Sequence, residues 1–263
     1  MDNSESYKIK KNEYVKIIPC LDMKDGRVVK GVRFEGIRDV GDPAEAAGLY
    51  CGAGADELVL LDINASYEGR PTLIDVVART AKQATVPFCV GGGISTAEQA
   101  RELIGSGADK VSINSPAVKN PGLIEDIAAR FGSASLIVAI DAKKSGDNYW
   151  EVYLNGGRAP TGKEVVEWAR EIEGRGAGAI MLNSIDMDGV RQGYDLEITR
   201  RVADAVKIPV IASGGAGSLK DFADAVTEGH ADALLAASLF HFRQLEIMQV
   251  KEYLHGLGIP VRL

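Results

Sequence analysis

Two stretches decide the fold: VPFCVGGGISTAEQARELIGSGADKVSINS (Val86–Ser115) and IPVIASGGAGSLKDFADAVTEGHADALLAAS (Ile208–Ser238). Each runs from a short apolar segment through a glycine cluster into an amphipathic segment, then into a second apolar segment that ends in serine. Further out, IIPCLD (Ile17–Asp22) resembles LIVAID (Leu136–Asp141), and GADELVLLD (Gly54–Asp62) resembles GAGAIMLNS (Gly176–Ser184). The paired stretches keep the same order and nearly the same separation, which reads as two fused half-units.

Each half alternates strand-like and helix-like segments. The expected strands are Lys16–Leu21, Glu57–Leu61, Pro87–Val90, Lys110–Ile113, Leu136–Ile140, Ala179–Leu182, Pro209–Ala212 and Ala233–Ala236. They are short and almost wholly apolar, as parallel strands buried on both faces must be. The expected helices are Pro43–Gly52, Thr72–Ala84, Thr96–Ser106, Pro121–Phe131, Thr161–Arg175, Leu196–Val206, Leu219–Glu228 and Leu245–Gly256. Ser95 and Ser218 read as helix N-caps, and Gly107, Gly132, Gly176 and Gly229 follow helix ends. Eight β/α units without a dinucleotide-type GxGxxG predict a closed (β/α)8 TIM barrel built from two duplicated half-barrels. It should be one domain over residues 15–263, behind a polar, flexible extension over residues 1–14. Two departures stand out. Met23–Asp42 reads as a long basic loop with Lys24, Arg27, Lys30, Arg33 and Arg38, able to act as a flap over an anion. Tyr149–Leu154 alternates with a period of two and ends in Asn-Gly-Gly, which predicts a small hairpin insert within Lys143–Arg158.

Composition narrows the function. Apolar residues are 46% and charged residues 25% of the 263, so wholesale disorder is excluded. A net charge of -7 without a basic cluster argues against nucleic acid as a partner. No apolar run is long enough for a membrane helix and the start is not a secretory signal, so a cytoplasmic protein is expected. Cys20, Cys51 and Cys89 are widely spaced and read as buried reduced thiols. His230, His241 and His255 show no ligand spacing, so neither a metal nor another cofactor is expected.

The chemistry should sit at the C-terminal strand ends. Gly91-Gly92-Gly93 and Gly214-Gly215 with Gly217 follow the third and seventh strands, where backbone N–H groups can face an oxyanion. Asn114-Ser115 and Ala237-Ser238 follow the next strand in each half, and Ser238 should open a short helix over Leu239–Phe242. Two such sites facing each other imply one long substrate with a phosphate at each end. Asp22 and Asp141 end the first and fifth strands, on opposite sides of the substrate's middle. They can act as complementary proton donor and acceptor.

With these residues in place, the sequence resembles the family of cyclase subunits of imidazole glycerol phosphate synthase. The resemblance runs from about Lys16 to Leu263. It is carried by CLDMKDGRVVKG (Cys20–Gly31), DELVLLDI (Asp56–Ile63), VGGGI (Val90–Ile94), GADKVSIN (Gly107–Asn114), VAIDAK (Val138–Lys143), DGVRQGYD (Asp188–Asp195), IASGGAG (Ile211–Gly217) and LAASLFHF (Leu235–Phe242). It implies a lyase of histidine biosynthesis that takes ammonia from a separate glutaminase subunit in a heterodimer. The substrate would be phosphoribulosyl-formimino-AICAR ribonucleotide, and the products imidazole glycerol phosphate and AICAR ribonucleotide. Asp22 and Asp141 match the acid/base pair. Gly92, Gly93, Asn114 and Ser115 match one phosphate site. Gly189, Gly214, Gly215, Ala237 and Ser238 match the other, with Asp188 beside it, and Lys30 matches a flap lysine. Lys16, Glu57 and Lys110 match three members of a charged ring at the ammonia entrance. Ala179 stands where the family has a fourth, acidic member, so two cations share one carboxylate and one of them is expected to swing away. Asn64 and Asn183 replace threonines. A related isomerase of the same pathway and a non-catalytic phosphate-binding barrel are the alternatives.

Overall fold

The computed structural model describes residues 13–32 and 35–263, without the side chains of residues 30–32, 35–38 and 66–67. Most of the expected N-terminal extension lies outside the described residues. The strands are β1 (Lys16–Lys24), β2 (Arg27–Val32), β3 (Glu35–Gly41), β4 (Leu58–Asp62), β5 (Phe88–Gly91), β6 (Lys110–Ile113), β7 (Leu136–Gly146), β8 (Tyr149–Leu154), β9 (Ala159–Glu164), β10 (Ala179–Ser184), β11 (Val210–Ser213) and β12 (Ala233–Ala236).

Eight of these are parallel neighbours in the order β1-β4-β5-β6-β7-β10-β11-β12. β12 pairs with β1 and β7 pairs with β10, so the sheet closes on itself. Helices separate the barrel strands in sequence, which makes a (β/α)8 TIM barrel. The pleat sorts the apolar side chains. Ile18 and Cys20 of β1 point inward and pack with Val59, Cys89, Ile137, Met181, Ile211 and Leu235 to fill the barrel. Ile17 and Leu21, from the alternate positions, pack outward in the layers under the helices. No helix among the described residues is long and apolar enough to cross a membrane.

The structure corrects several local expectations. Met23–Asp42 is no irregular loop, because β2 and β3 fold back on the end of β1 as an antiparallel hairpin. Its first turn is Asp25-Gly26, both with positive φ (51° and 76°), the geometry that matches strand twist. Thr161–Glu164 is not the start of a helix. It belongs to β9, which pairs with β8, and the helix begins at Val165 with Glu164 as its cap. Thr96, rather than Ser95, caps the helix Ala97–Gly105, its hydroxyl accepting from the Gln99 N–H at 3.2 Å. Short helices at Ala65–Glu68 and Ser115–Lys119 were not anticipated. Cys20 and Cys89 are buried thiols, whereas Cys51 is partly exposed. Burial pushes the Cys89 thiol pKa up, so it stays protonated.

Candidate active site at the barrel mouth

One cavity of about 210 Å³ opens at the C-terminal ends of the barrel strands. It gathers Asp22 and Asp141, Gly92 and Gly93, Asn114 and Ser115, Asp188 and Gly189, Gly214 and Gly215, and Ala237 and Ser238. The sequence scatters these residues over more than 200 positions, and closure of the barrel brings them together. Lys30 lies in β2, and its side chain falls outside the described residues.

Asp141 is 8% exposed, and three side chains fix it. The ladder sets Asp141 of β7 level with Asn183 of β10, and Asn183 level with Ser213 of β11. The Asn183 Nδ2 donates to Asp141 Oδ1 at 3.2 Å, and the Ser213 hydroxyl donates to Asn183 Oδ1 at 3.3 Å. The Asn183 amide therefore bridges the serine hydroxyl and the carboxylate. From β6, Asn114 Nδ2 donates to Asp141 Oδ2 at 3.0 Å. Burial raises the Asp141 pKa, the two amide donors oppose the rise, and the nearby Asp188 charge adds to it. Asn114 Oδ1 is buried and has no hydrogen-bond partner. Asn114 thus gives its side-chain amide to Asp141.

Across the mouth, Asp22 ends the inward-facing run of β1 and is half-buried. The Cys20 Sγ donates to its Oδ1 at 3.6 Å. Asp22 and Asp141 belong to the first and fifth strands of the ring, so they face the same space from opposite sides.

The glycine loops are built for close approach. A Cβ on Gly92 (φ +100°) would strike the Asp62 carbonyl, and one on Gly215 (φ +104°) would strike the Gly193 carbonyl. Both loops are also tied down from outside. Thr72 donates its hydroxyl to the Gly92 carbonyl, and Gly193 N–H donates to the Gly215 carbonyl at 2.9 Å. Behind the first loop, Arg70 clasps the buried Asp62 carboxylate at 2.7 and 3.0 Å. The short helix at Ser238 spans Ser238–His241, with Ala237 as its N-cap residue.

Sequence reasoning missed the hairpin's share in the site. Asn155, Gly156 and Arg158 line the cavity, as does Arg191. The Asn155 N–H donates to the Ser115 hydroxyl at 2.9 Å, so the turn after β8 rests on the end of β6. The Asn-Gly-Gly-Arg turn was visible in the sequence, but nothing there showed where its tip would land.

At the opposite face, Lys110 Nζ lies 2.7 Å from both Glu57 oxygens and Lys16 Nζ lies 3.3 Å from Oε2. Neither lysine swings away, which corrects the expectation drawn from Ala179. The Glu57 side chain is 2% exposed, and a carboxylate that deeply buried holds both cations.

A closed (β/α)8 barrel whose strand C-termini surround a carboxylate-lined cavity is the architecture of barrel enzymes. The chain belongs to the histidine biosynthesis protein family, which it matches over residues 16–246.

Proposed function

We propose that this chain is the cyclase subunit of imidazole glycerol phosphate synthase. It would accept ammonia from a glutaminase partner and convert phosphoribulosyl-formimino-AICAR ribonucleotide to imidazole glycerol phosphate and AICAR ribonucleotide. The observation that carries this reading is the single cavity in which Asp22 and Asp141 face each other between two glycine loops. A substrate with a phosphate at each end, anchored on Gly92–Gly93 and Gly214–Gly215, would hold its reacting middle between the two acids. Burial favours the neutral form of Asp141, which suits a proton donor, with Asp22 as the acceptor opposite. A protonated Asp141 needs an acceptor for its own O–H. A half-turn of the Asn114 amide supplies one, since Asn114 Oδ1 has no other partner.

The charged cluster at the far face supports the cyclase reading over the related isomerase. A glutaminase needs a docking face and an ammonia path there, and the isomerase needs neither. Lys16, Glu57 and Lys110 sit at that face, below the apolar barrel interior. The test is turnover of the bisphosphate with ammonium salt, then with glutamine plus a glutaminase subunit. Imidazole glycerol phosphate should form in both. Isomerisation of the preceding intermediate without use of ammonia would assign the isomerase instead, and neither reaction would leave a binding barrel.

A further inference from the structure

The cavity is acidic for a site that takes an anion at each end. Asp22, Asp62, Asp141 and Asp188 line it. Arg70 pairs with Asp62 from behind, and Asp22, Asp141 and Asp188 line the same space. Glycine N–H groups contribute partial charges, whereas a phosphate monoester carries roughly −1.5 to −2 near neutral pH. Among the described residues that line the cavity, the cations are Arg158 and Arg191.

These two arginines stand on different loops, at different ends. Arg158 closes a turn, its N–H donating to the Leu154 carbonyl at 3.0 Å. Asn155 in that turn holds Ser115, and Gly157 packs against Ile185. Arg158 is therefore fixed beside the ends of β6 and β10. Arg191 stands on the loop after β10, and its carbonyl would meet any Cβ placed on Gly217. Its Nη1 donates to Gln244 Oε1 at 3.0 Å, and its guanidinium lies 6.0 Å from the Phe242 ring centre. That holds it beside the Gly214–Gly217 loop.

We propose that Arg158 and Arg191 are the charge partners of the substrate's two phosphates, Arg158 at the Asn114–Ser115 end and Arg191 at the Gly214–Gly215 end. The assignment rests on the bisphosphate reading above. A guanidinium gives a phosphate two parallel N–H donors and a full charge, which the glycine loops lack. Both arginines are exposed at the rim, and each exchanges resident contacts, Arg158 with the Asn155 carbonyl at 3.5 Å and Arg191 with Gln244, for its phosphate as the substrate arrives.

An NMR titration with inorganic phosphate tests this, because the backbone amides of Ser115 and Gly215 report the two ends separately. The unaltered protein should show saturable shifts at both. Arg158→Gln should raise the dissociation constant read at Ser115 roughly tenfold and leave that at Gly215 in place. Arg191→Gln should do the reverse, and Arg158→Lys should keep part of the affinity. Arg130→Gln, on an outer helix, should change neither, and the remaining amide signals show that each variant is folded. Phosphate binding at both ends that ignores both substitutions, or that falls as much in Arg130→Gln, overturns the arginine assignment alone. No phosphate binding by the unaltered protein overturns the bisphosphate reading as well.

Discussion

Both Asp141 oxygens accept from amides, so substitutions there separate chemistry from stability. Asp141→Asn keeps an acceptor for Asn183, and the Asn114 amide can turn to offer its unpaired oxygen to the new N–H. Turnover should fall roughly 10²–10⁴-fold in this variant, and likewise in Asp22→Asn, while substrate still binds. Near-normal kcat in either would remove that residue from the chemistry. Stability should move the other way at position 141. Its pKa is raised in the fold, so the stability it contributes is whole below the unfolded pKa and is lost as pH rises through the folded pKa. Asp141→Asn cannot ionise, so its stability relative to the unaltered protein should grow with pH across that window, as urea melts at several pH values would read. Asp141→Leu should instead leave two partly buried amides without their acceptor and cost up to about 1–3 kcal/mol for each.

The hairpin β8–β9 shows how an insert becomes part of a site. Trp150 is 1% exposed, and its Nε1 donates to Asp195 Oδ2 at 3.3 Å, on the cap of the helix Leu196–Ala205. Lys144 and Arg201 cover the ring at 4.8 and 5.0 Å from its centre. Trp150→Ala should cost about 3–5 kcal/mol in urea denaturation. It should also raise KM, because the turn that carries Asn155 and Arg158 loses its anchor. Unchanged KM in a folded variant would show that the tip is held by its contact with Ser115 alone. Much of this was legible in the sequence. The barrel strands were readable because burial on both faces leaves unbroken apolar runs, and Asp22 and Asp141 because they end matching runs. The hairpin β2–β3 was hidden among its basic residues, although Asp25-Gly26 carried the turn signal. β9 was misread because Lys163, Glu164 and Glu167 look like a helix start, while pairing with β8 decides the backbone. The link from Ser213 through Asn183 to Asp141 could not be read at all, because it depends on the register of three strands.

The two faces of the barrel divide the proposed work, and each can be perturbed without the other. If ammonia enters past Lys16, Glu57 and Lys110, Ala179→Glu adds a second carboxylate to a cluster where two lysines now share one. Turnover with free ammonium salt should stay the same, and because Glu57 already holds both lysines the ratio of glutamine consumed to product formed should stay near one. A ratio that falls on substitution would show a leak past Ala179. A ratio already at one and unchanged would make Ala179 neutral. A second seam closes the ring beside this face. Lys251, 1% exposed, donates to Asp56 Oδ1 and to the Arg262 carbonyl, each at 2.8 Å, and Asp56 in turn accepts from the Ile17 N–H. Lys251→Met strips a buried carboxylate of its main partner and should cost about 3–5 kcal/mol by urea denaturation. A loss below 1 kcal/mol would show that Arg262 alone can satisfy Asp56. The pairing of β1 with β12 has a consequence for biosynthesis. The first barrel strand to leave the ribosome waits for the last before its second edge is covered. Until then the nascent chain carries an open sheet edge, a template for pairing with neighbouring chains. Chaperone demand during translation should therefore persist until β12 has emerged, however early the first half collapses.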